Sequence, residues 1–152
     1  MKDLLLITPP FTQLNTPYPA TAYLKGFLNT KNISSYQIDL GIEVILEIFS
    51  KKGVTQIFNV KPENLSENAQ RIFALKEEYI KTIDEVIAFL QNKKPTLARQ
   101  ICSMNFLPEA SRFNQLDDME YAFGNMGLQD KAKHLATLYL EDLSDYIIEN
   151  ID

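Results

Sequence analysis

One cysteine, one histidine and no tryptophan stand among 152 residues, and each shortage closes off a class of chemistry. Cys102 has no partner in the chain for a disulfide, so the fold has to rest on an ordinary apolar core. A single domain of this length buries roughly two thirds of the surface its unfolded form exposes, which is enough to build one. A lone cysteine reads as a small core hydrophobe rather than a nucleophile, and a reducing cytoplasm suits it. His134 cannot form a metal site with a second histidine, because there is none. Cations are in deficit as well: 15 Lys and Arg against 20 Asp and Glu give a formal net charge of −5, with no basic block. That balance opposes attraction to phosphate backbones and argues against nucleic acid as a partner. Long apolar runs are missing too. Met1-Lys2-Asp3 precede only four strongly apolar residues, short of a signal-peptide core and of the ~20 needed to span a bilayer. The expected location is the cytoplasm, with no membrane contact.

What is present starts with Leu4-Leu5-Leu6-Ile7-Thr8-Pro9-Pro10-Phe11. Four bulky apolar residues ended by a proline pair read as a strand buried on both faces, as in parallel sheets. A loop follows over residues 12–19. Residues 20–30 then carry Ala20, Tyr23, Leu24, Phe27 and Leu28 at helical spacing, an apolar stripe suited to covering a sheet face, with Gly26 weakening the helix slightly. A second strand is expected over 36–40 and ends at Gly41, so strand, helix and strand fit a right-handed parallel crossover. Residues 42–49 suggest another helix, closed by Lys51-Lys52-Gly53 as a C-terminal dipole prefers.

Beyond this point no run has a strand's pattern. Residues 54–60 could be a short helix or a poor strand, bounded by Pro62. Ser66 is a natural N-cap for one long helix continuing to Leu90, and Lys93-Lys94-Pro95 stop it. Pro95 opens another helix, to about Met104, and Pro108 a further one through Tyr121. Gly124 and Gly127 bracket a turn, and Asp130 is the expected N-cap of a last helix. The fold class is therefore α/β: a small parallel βαβ unit, an incomplete Rossmann-like start over residues 1–60, followed by a mainly helical part over 61–152. Two strands do not complete a doubly wound sheet. The chain is expected to be a single N-terminal domain or the front fragment of a longer protein.

The chemistry that these residues offer is limited. The first loop holds Thr8, Thr12, Gln13, Asn15, Thr16 and Tyr18 among Pro9, Pro10, Phe11, Pro17 and Pro19, and contains no glycine. A phosphate cradle needs several N-H groups and close backbone approach, which two adjacent prolines deny. The loop is better suited to flanking a large, mostly apolar ligand, or simply to packing over the sheet edge. Asp39, before Leu40-Gly41, stands where an acid can bind a ligand hydroxyl in an α/β crevice, or can cap the following helix. His134 reads as a surface or half-buried helix residue. Asp117, Asp118 and Glu120, like Glu141, Asp142 and Asp145, read as solvated helix faces, so no catalytic residues and no metal ligands are assigned.

Three stretches carry a resemblance. They are residues 5–19, LLITPPFTQLNTPYP; residues 22–28, AYLKGFL, with 39–43, DLGIE; and residues 123–130, FGNMGLQD, with 135–143, LATLYLEDL. In these the chain resembles the N-terminal cobalamin-binding-like region of bacterial radical S-adenosylmethionine proteins. That resemblance implies a Rossmann-like domain ahead of a barrel whose Cys-x-x-x-Cys-x-x-Cys motif holds an iron-sulfur cluster. One cysteine cannot supply that motif, so the cluster and S-adenosylmethionine would belong to a part of the protein outside this chain. The cobalamin-ligand pattern Asp-x-His-x-x-Gly is absent as well. By the resemblance, Pro9, Pro10, Phe11, Thr12, Asn15, Tyr18, Asp39 and Gly41 would border cobalamin. The chain itself would be catalytically inert and the longer protein the enzyme. The rival is a helical protein-protein interaction domain carrying a structural βαβ unit. The partners expected are the remainder of the longer polypeptide and, across the unpaired edge of the first strand, a second copy in a homodimer.

Overall fold

The computed structural model describes residues 3–10, 19–60, 64–115 and 127–151. The chain divides into two compact units, Met1–Ile48 and Phe49–Asp152.

The first unit runs β1 (Leu4–Thr8), α1 (Ala20–Thr30), β2 (Ser35–Asp39) and α2 (Leu40–Ile48). The strands are parallel, with Leu4 opposite Ser35 and Thr8 opposite Asp39, and among the described residues they form a two-stranded sheet. The turn that returns the chain to β2 is set by Asn32. Its φ of 54° is left-handed, its N-H donates to the Asn29 carbonyl, and the Ile33 N-H donates to that of Leu28. Those bonds take up carbonyls that the end of α1 would otherwise leave unpaired.

The apolar stripe of α1 does not cover the sheet as its spacing suggests. Thr21 is buried and Lys25 and Leu28 are half-buried, whereas Tyr23 is 77 %, Leu24 51 % and Phe27 58 % exposed. The physical reason is width, since two strands about 4.8 Å apart offer a face narrower than a helix of about 10 Å with its side chains.

The second unit holds α3 (Lys51–Asn59), α4 (Glu67–Ala74), α5 (Lys76–Leu90), α6 (Ala98–Cys102) and α7 (Leu128–Ile151), with short 3-10 turns at Pro95–Leu97 and Ser111–Gln115. Lys51-Lys52-Gly53 open α3 rather than close α2. Ser50 is extended, its Oγ accepts the Gly53 N-H at 3.0 Å, and Asp84 of α5 accepts the Lys51 N-H at 2.8 Å. Two N-terminal donors thus find side-chain oxygens, which outweighs the unfavourable placing of the lysines near a helix start. Residues 54–60 are helical up to Asn59.

Ser66 caps α4 as expected, its Oγ accepting the Ala69 N-H. Its own N-H and hydroxyl donate to Glu149 of α7. The long helix is interrupted once, at Leu75, which separates α4 from α5. Asn92, with φ 59°, ends α5 by the same device as Asn32. Pro108 does not open a helix: the segment becomes the 3-10 turn at Ser111, and residues 116–126, with Gly124, lie outside the described residues. The last helix begins at Leu128, so Asp130 lies in its first turn rather than at its cap. Among the described residues no helix is long and apolar enough to cross a membrane.

The core belongs to the helical unit. Ile72, Tyr79, Ile83, Val86, Leu135 and Tyr146 are all fully buried. Phe58 lies 5.0 Å from the Tyr146 ring, and Tyr79 lies 5.0 Å from that of Tyr139. The Tyr139 hydroxyl donates to the Tyr79 carbonyl at 3.1 Å, and its oxygen can accept from Thr82 Oγ1 at 3.0 Å, tying α7 to α5.

Asp142, expected to be solvated, is 0 % exposed. Its two oxygens accept the backbone N-H groups of Ala110 and Arg112, each at 3.2 Å. The helical period explains the placement. Asp142 follows Tyr139 by three residues and precedes Tyr146 by four, which puts it on the inner stripe of α7. The Arg112 guanidinium pairs with Asp145 at 2.8 Å on the outer side.

Two stability predictions follow from this packing. A Cβ added at Gly26, in the middle of α1, meets nothing within 4 Å. Gly26→Ala is therefore expected to stabilise the first unit by about 0.5–1 kcal/mol in denaturant unfolding. Asp142→Ala strips the buried Ala110 N-H of its acceptor and is expected to cost the second unit about 1–3 kcal/mol.

Burial is the main cause that raises the Asp142 carboxyl above its ordinary value, against the lowering effect of the two N-H donors. A folded-state pKa above the unfolded one contributes stability at low pH that is lost as pH rises through the folded value. Asp142→Asn should therefore remove a declining component from the stability-pH curve above the ordinary carboxylate range. The check is the difference between the wild-type and variant curves; a difference that rises with pH there would contradict the assignment.

Candidate functional site

The carboxyl end of the two-stranded sheet is where the candidate residues meet. Because Thr8 pairs with Asp39, Pro9 and Pro10 leave β1 at the same end at which Asp39 closes β2. Thr8 is 2 % exposed, while the two prolines that follow it are exposed. Asp39 is half-buried. Its Oδ1 accepts the Ile42 N-H at 3.2 Å, the geometry of an N-cap on α2. Its second oxygen takes no hydrogen bond among the described residues. Gly41 lies buried in the first turn of α2. Phe11, Thr12, Asn15 and Tyr18, with Gln13 and Thr16, lie outside the described residues.

The geometry thus brings Pro9, Pro10 and Asp39 to one end of a parallel pair, with Gly41 two residues after Asp39 in the first turn of α2. Capping occupies one oxygen of Asp39, so the helix-cap role is met whether or not the residue has a second one. The first unit holds no imidazole, since the single histidine is at position 134. A corrin ring bound at this end would be held by shape and a few polar contacts, without a histidine of this unit on its metal. Proline rings and a carboxylate oxygen beyond the one that caps α2 offer contacts of that kind.

Elsewhere the chemistry is structural. Cys102 is half-buried, packs against the helical core and lies 3.6 Å from the Leu128 carbonyl. Burial pushes its thiol up, away from the thiolate form a nucleophile needs. His134 is half-buried in α7, as its spacing implies. Burial raises the Tyr79 and Tyr139 phenols well above their usual range, so both stay neutral. Asn64, Leu65, Gln70 and Phe73 line an open groove, where the Gln70 amide already donates to the Leu65 carbonyl. Among the described residues no group of His, Cys, Asp or Glu is arranged to hold a metal ion. Asp117, Asp118 and Glu120 lie outside the described residues.

Compared with known proteins, the chain matches no family model, no curated protein and no solved structure.

The cap gives this site a prediction of its own. Asp39→Ala should destabilise the first unit by about 1 kcal/mol, and Asp39→Asn or Asp39→Ser by a few tenths at most, because either keeps an acceptor for the Ile42 N-H. Urea unfolding of the three variants, followed by circular dichroism, checks the order.

Proposed function

We propose that this chain is the cobalamin-binding-like, non-catalytic portion of a longer radical S-adenosylmethionine protein. The observation that supports the reading is the parallel β1-α1-β2 unit, whose first loop departs beside Asp39 at the carboxyl end of the sheet. Ligands of open α/β sheets bind at that end. In this reading Pro9, Pro10, Asp39 and Gly41 border the cofactor, together with Phe11, Thr12, Asn15 and Tyr18 by resemblance. The iron-sulfur cluster and S-adenosylmethionine belong to the remainder of the polypeptide. The chain contributes binding and positioning.

The test is a titration of the purified chain with hydroxocobalamin, read by the visible absorbance of the corrin. Weak, saturable binding that Asp39→Ala reduces, in a variant shown to remain folded, supports the proposal. No spectral change up to the solubility limit of the cofactor overturns it and leaves the helical interaction domain as the reading. The non-catalytic part is tested separately. After cluster reconstitution the chain is expected to form no 5′-deoxyadenosine from S-adenosylmethionine, since one cysteine cannot supply a three-cysteine cluster motif. Formation of that product above a metal-free control would refute the assignment.

A further inference from the structure

We draw no further inference here: the strongest candidate, the exposed apolar face and open edge of the two-stranded sheet at Leu5, Ile7 and Tyr36, carries none because nothing in the structure shows what covers it.

Discussion

The carboxylate of Asp142 is the contact on which the order of the helical unit's irregular segment depends. Residues 108–110 belong to no helix or strand, so their backbone donors have no ladder to join. Ala110 is fully buried, and water cannot serve its N-H. A buried amide left without an acceptor costs about 1–3 kcal/mol; Asp142 removes that cost for Ala110 and also accepts the N-H of the more exposed Arg112. The charge itself is expensive to bury. Two N-H donors aimed at it, and the Arg112 guanidinium one turn away on Asp145, offset part of the penalty. Asp142 therefore joins the 3-10 turn to α7 by a polar clasp set within an otherwise apolar stripe of Leu135, Tyr139, Leu143 and Tyr146.

The sheet unit obeys the opposite constraint, because it has regular hydrogen bonding but little to bury. Leu4, Leu5, Ile7 and Tyr36 are each more than two-fifths exposed, although the first three belong to a run that reads as a doubly buried strand. The alternation of a strand sets Leu5 and Ile7 on the same face, and the register adds Tyr36 to it. Two strands carry too few side chains for a core of their own, and a β structure of this size needs a third strand or helix packing for independent stability. Among the described residues the fully buried apolar side chains accordingly lie between Val54 and Tyr146.

These contrasts show what is legible in a sequence of this kind. Both strands, their parallel pairing and the helices that begin at Ala20 and Ser66 are readable, because apolar runs, crossover length and an N-cap serine are local signals. Lys51-Lys52-Gly53 misleads because the deciding groups are Ser50, one residue upstream, and Asp84, thirty-three residues away, and only the first is a local cue. The burial of Asp142 was within reach of the helical period, since positions 135, 139, 142, 143 and 146 form one stripe. Residue type pointed the other way, as Asp is mostly exposed. The outward stripe of α1 is a different kind of failure, because amphipathic spacing says that a face is apolar but not that a partner wide enough to cover it exists. Of the candidate site, Asp39 and the prolines are readable from their places at strand ends, while Phe11, Thr12, Asn15 and Tyr18 rest on the resemblance.

Asp39 shows how a helix cap uses only part of a side chain's acceptor capacity. A carboxylate has two oxygens and about four lone-pair sites, and the α2 N-terminus uses one oxygen at Ile42. That bond restrains the side-chain rotamer and so sets the direction of the second oxygen. Asparagine preserves the cap but presents an amide N-H₂ where the second oxygen stood, turning an acceptor into a donor. The cap is therefore lost only when position 39 keeps no side-chain oxygen, as in Asp39→Ala, whereas the number of acceptors beside it already changes in Asp39→Asn.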